Sequence, residues 1–172
     1  MNELDEIWPQ LLSQALEKAR ATGRSDVADY LSLKATNDGL RQAGTTWLID
    51  SMLEIAGVAN RHNEGISIER QEPHNFAWRG ANMAGSRLRL RYGVRCLTLE
   101  TGWTRTPADG FMRGGALAYA RITHFGIAKH NAELVLLQLN AAPAWHALSD
   151  EKTGEHFKAE SLVGHFRIFL GE

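Results

Sequence analysis

The 172-residue chain has one cysteine, Cys96, four prolines, and no apolar run near the roughly 20 residues that span a bilayer. A single cysteine excludes an intrachain disulfide and a cysteine-rich zinc site. The opening Met1-Asn2-Glu3-Leu4-Asp5-Glu6 is acidic and lacks the basic-then-apolar order of a signal peptide. A soluble, cytoplasmic protein with no membrane partner is the expectation. P-loop, dinucleotide, HExxH, GxSxG, kinase, zinc-finger and helix-turn-helix patterns are all missing, so no motif names a cofactor. The seven histidines, His62, His74, His124, His130, His146, His156 and His165, show no metal-ligand spacing. No metal is therefore expected, unless Glu69, His74, Glu100 or His124 converge in the fold.

Lysine is also scarce, and its distribution is informative. Residues 61–121 contain ten bases, all arginine, and the five lysines lie elsewhere. The overall charge is only −1, yet this middle segment is basic while both flanks are acidic. Arginine presents a planar fork suited to phosphate or carboxylate, and it also pairs with neighbouring acids.

The segment Ser86 to Glu100 alternates arginine and leucine, turns at a glycine, and alternates again. Period two is the signature of a strand, and the break at Gly93 predicts a β-hairpin. A two-residue loop at Tyr92-Gly93 would pair Arg91 with Val94, Leu90 with Arg95, Arg89 with Cys96 and Arg87 with Thr98. An even loop gathers Leu88, Leu90, Leu97 and Leu99 on one face, and Arg87, Arg89, Arg91, Cys96, Thr98 and Glu100 on the other.

Before the hairpin the pattern is helical. Leu4, Ile7, Trp8, Leu11, Leu12, Ala15, Leu16 and Ala19 form an apolar stripe over 4–21, with Pro9 kinking it or marking its first turn. Ser25 caps a second helix ending near Asn37-Asp38-Gly39, and a third runs to Asn60, with Gly44 and Thr45-Thr46 as potential breaks. Beyond it, Ile66 to Arg70 reads as a strand and Phe76 to Ser86 as irregular. Strands are predicted over 116–125 and 133–139, the latter as a central strand. Trp145 to Leu148 and His156 to Glu160 should form a hairpin closed by residues 149–154, and Val163 to Leu170 a last strand. Helices first and strands afterwards imply a single α+β domain over 1–172. Helices from 1–60 should pack on one face of a mostly antiparallel, curved sheet of about six strands from 61–172.

The loop Thr104 to Gly115 is long for a hairpin connection, and long loops are often functional. It holds Arg105, Asp109, Phe111, Met112 and Arg113, and Gly114-Gly115 would let backbone approach an anion. Three functions are expected from these residues. The first is binding of a phosphate- or carboxylate-bearing small ligand by Arg87, Arg89, Arg91, Arg105, Arg113, Gly114 and Gly115, with Trp103 as a stacking plane. The second is an enzyme using Glu100, Asp109 and His124, which requires these groups to meet at one point. The third is single-stranded nucleic-acid binding, with Trp78, Trp103 and Phe111 as base platforms, or a protein-interaction module that self-associates through the N-terminal helix. Cys96 reads as an inert packed thiol.

Overall fold

The computed structural model describes residues 3–139, 142–150 and 152–172, with side chains from residue 9 onward. Glu151, placed by the sequence in the turn of the last hairpin, and the side chains of Leu4, Ile7 and Trp8 lie outside the described set. No described helix is long and apolar enough to cross a membrane. The chain divides into two compact units, Met1–Leu40 and Arg41–Glu172.

The first unit contains α1 (Glu3–Ala21) and the start of α2 (Ser25–Arg61). Gly23, at φ 75°, permits the turn between them. Ala19 and Ala28 are buried on either side of it. Pro9 lies inside α1 and does not mark its first turn.

The sequence splits 25–60 into two helices, whereas α2 is continuous. Thr45 does not break it, because its hydroxyl donates to the Arg41 carbonyl at 3.0 Å, one turn back. Gly44 has a packing role: a Cβ there would lie 2.5 Å from Leu136 Cδ2. From Arg41 onward α2 buries Leu48, Ile49, Met52 and Ala56, a helical spacing, against the sheet. Asn60 ends the helix by bonding both backbone groups of Ile66, at 2.7 and 2.9 Å.

The sheet is an antiparallel meander of seven strands in sequence order: β1 (Ser67–Trp78), β2 (Ala81–Tyr92), β3 (Arg95–Trp103), β4 (Ala118–His124), β5 (Ala132–Leu137), β6 (Ala144–Ser149) and β7 (Lys152–His156). Phe76 to Ser86 is not irregular. It completes a long β1–β2 hairpin, turning at Arg79 and Gly80, both at positive φ. The arginine–leucine hairpin forms with its turn one residue later than expected. Tyr92 pairs with Arg95, Leu90 with Leu97, Leu88 with Leu99 and Arg87 with Glu100. The loop keeps its even length, so the faces are as expected, and all four leucines are buried.

The predicted last strand is a helix, α3 (Ala159–Leu170), closed by left-handed Gly171. Phe166, Ile168 and Leu170 recur at every second position, with Arg167 between the first two, which imitates a strand. The residues buried are Leu162, Phe166 and Phe169, which share one helical face.

The face of the sheet opposite α3 and the part of α2 from Arg41 onward is not purely polar. Trp78, Ala81, Met83, Ala116, Tyr119, Val135 and Leu137 form an apolar cluster there. Trp78 of β1 stacks on Tyr119 of β4 with ring centroids 3.9 Å apart. Strands three apart in a flat sheet are separated by about 14 Å, so the β1–β2 hairpin curls over and makes this face concave. Gly85 and Gly102, paired across β2 and β3, allow a backbone approach that no Cβ would fit.

Candidate functional site

The arginine stripe is engaged in local ion pairs. Arg87 lies 3.3 Å and Arg89 3.9 Å from the Glu69 carboxylate of the neighbouring strand. Arg91 is exposed close to the turn, and Cys96 sits beside Thr98 with Sγ and Oγ1 3.9 Å apart. Arg105 donates to the Ala84 carbonyl at 2.9 Å and stacks 3.8 Å above the ring of Trp103, which is itself buried. Asp109 accepts from the Thr106 amide, the Thr106 hydroxyl and the Arg105 amide. The Thr106 bonds hold its carboxyl below the ordinary value. Its role is to brace the short helical turn Pro107–Asp109. Phe111 is exposed, and Met112 packs against the concave apolar cluster.

Glu100, Asp109 and His124 do not assemble into one site. Glu100 pairs with Arg121, and His124 lies three residues further along β4, so it points to the opposite face. There it meets α3: His124 Nε2 and His165 Nδ1 are 2.9 Å apart. Burial, then the neighbouring His165 and His130, push the His124 pKa down to about 4. Burial and His130 also lower that of His165.

On the concave face, Glu100 takes other partners. Its Oε1 is 2.9 Å from His74 Nε2, and its Oε2 accepts from Arg121 at 2.7 and 3.0 Å. Burial acts to raise the Glu100 pKa, but the His74 and Arg121 hydrogen bonds and the Arg121 charge bring it below the ordinary value. An ionised carboxylate only accepts, so His74 carries its proton on Nε2, a tautomer assigned from the hydrogen bond. The sequence did not reveal this trio, because a bulge determines it. The β1–β2 register shifts between Gln71 and His74, which moves His74 to the face of Glu69, Gln71 and Arg87. Glu100→Gln is expected to cost about 2 kcal/mol, the value of hydrogen bonds to a partly buried charge. A urea midpoint unchanged from the parent protein would refute a joint contribution of the trio.

A cavity of about 220 Å³ is lined by Trp78, Arg79, Arg113, Gly114, Ala116, Val135, Leu137, Leu148 and Thr153. Arg79 sits over the Trp78 ring at 5.2 Å and 3.6 Å from Glu133. Gly114 is left-handed at φ 63°, as is Gly115 at φ 71°. Trp78 Nε1 and Tyr119 Oη are both buried without a hydrogen bond of normal geometry. Burial and the nearby Glu133 carboxylate hold the Tyr119 hydroxyl well above its ordinary pKa, so it is a neutral donor. A wider hollow of about 560 Å³ beside Asn75, Met83 and Asp109 has no cation in its lining.

The structure therefore brings Arg113 and Gly114 of the expected anion-binding set together with Trp78 and Arg79. It leaves Arg87, Arg89 and Arg105 in local pairs. Among the described residues no three potential metal ligands gather. No protein-family model, curated protein or solved structure matches this chain.

Proposed function

We propose that the protein binds a small anionic molecule, bearing phosphate or carboxylate, in the cavity of the concave face. One observation carries this reading: two guanidinium groups, Arg79 and Arg113, line one cavity beside the Trp78 ring and the backbone of Gly114. Arg79 and Arg113 supply charge-assisted forks, the Gly114 backbone allows close approach, and Val135, Leu137 and Leu148 form an apolar floor. The ion pairs of Arg87 and Arg89 with Glu69 favour a compact anion over a long polyanion, which would meet alternating charge along the hairpin.

Calorimetric titration with inorganic phosphate, pyrophosphate and small carboxylates tests this. Arg113→Gln and Arg79→Gln are each expected to weaken binding about tenfold, from loss of a charge-assisted hydrogen bond, and Arg89→Gln to leave it unchanged. Loss of binding through Arg89→Gln alone would move the site back to the hairpin stripe. A labelled oligonucleotide bound with a log–log salt slope steeper than about −3 would replace the small ligand with single-stranded nucleic acid.

A further inference from the structure

A second cavity, of about 410 Å³, lies on the helix side of the sheet, between α2, the β5–β6 pair and the β7–α3 connection. It is independent of the concave site and shares no lining residue with it. Trp47, Leu136, Trp145 and Phe157 wall it with apolar surface. Trp145 already spends its N–H on the Gly44 carbonyl at 3.0 Å. Trp47 is 38 % exposed, so part of its ring is open to the cavity mouth and to solvent. Among the described residues the titratable groups of the lining are His156 and Lys158, both exposed, and the lining contains no acid.

We propose that this cavity binds a small amphipathic carboxylate, with a ring or short alkyl body against Trp47, Trp145 and Phe157 and its carboxylate toward Lys158. The volume falls within the range of small-molecule pockets. The charge of the lining selects the class. A carboxylate adds a charge-assisted contact at Lys158 that a neutral apolar guest lacks, and a compact inorganic anion gains nothing from the aromatic walls.

The test uses the full chain, with octanoate as probe, acetate as the head group alone and 1-octanol as the neutral match. Binding is followed by calorimetry and by tryptophan fluorescence. Octanoate is expected to saturate below its micelle threshold. Octanol should bind octanoate's site five- to tenfold more weakly, and acetate should not bind. Lys158→Gln should weaken octanoate by a similar five- to tenfold, one charge-assisted contact at a solvated rim. Ala43→Leu projects bulk from an exposed helical position into the cavity, and it should abolish octanoate binding without lowering the melting temperature. Arg113→Gln should have no effect, which separates this site from the concave one. The proposal is overturned if octanoate fails to saturate, if octanol binds equally well, or if binding survives both Lys158→Gln and Ala43→Leu.

Discussion

Gly85→Ala is expected to lower stability by about 3 kcal/mol, at the upper end of overpacking costs. A methyl group at Gly85 would be driven into the Thr101 carbonyl oxygen and within 2.6 Å of Gly102 Cα. Both obstacles are backbone atoms of the paired strand, so no rotamer change relieves the clash. Relief would require β2 and β3 to separate at this point, which would straighten the curl that sets Trp78 of β1 on Tyr119 of β4. The concave cavity should be lost with it, so the variant should also fail to bind anions. Gly39→Ala is the internal control. Gly39 lies in α2 at ordinary helical φ, with nothing within 4 Å of an added Cβ. There the same change should add about 0.5–1 kcal/mol by reducing the freedom of the unfolded chain. Urea unfolding of both variants measures the contrast. A Gly85→Ala midpoint equal to that of the parent protein would mean the sheet is not held curved by this pair.

Stability is also expected to fall by about 3 kcal/mol as pH drops from 6.5 toward 4. His124 is 3 % exposed, and its pKa is pushed down to about 4 in the fold, against about 6.5 in the unfolded chain. Above about pH 7.5 the imidazole is neutral in both states and contributes no pH dependence. Below that the unfolded chain binds the proton first, so stability declines with falling pH until the folded pKa is reached. His165, lowered in the same direction, adds to the loss. Glu100 acts at the acid end. Its pKa is depressed in the fold, so its contribution is complete above about pH 4.3 and disappears as pH falls through its folded pKa. Since His124 and His165 join β4 to α3, protonation should loosen α3 first. Urea midpoints at pH 7.5, 6.0, 5.0 and 4.5 give the slope, and His124→Phe should flatten it between 6.5 and 4. An unchanged slope in that variant would assign the acid sensitivity elsewhere.

Features that depend on near neighbours in the chain were legible before the fold was known. Alternation over Arg87–Glu100 decided which side chains of that hairpin face the core, because strand side chains alternate faces whatever lies around them. The change from a 3.6-residue to a two-residue period after Asn60 determined helices first and antiparallel sheet afterwards. Composition placed the arginines together in the middle segment. Which acids these arginines meet was decided by partners distant in the chain: Glu69 for Arg87 and Arg89, Glu100 for Arg121 and Glu133 for Arg79. Local pattern also misjudged α3, since Val163 to Leu170 satisfies both periods, and only burial of Leu162, Phe166 and Phe169 selects the helix. Gly44 looked like a break and is a contact surface for Leu136, a distinction made by a residue about ninety positions away. The candidate site was the least legible part. A one-residue register shift at Gln71–His74 turns His74 toward Glu100, and an odd offset of three residues from Arg121 on β4 turns His124 away. Side-chain direction in a sheet has period two, so a single inserted residue reverses it, and only the assembled sheet determines where that residue goes.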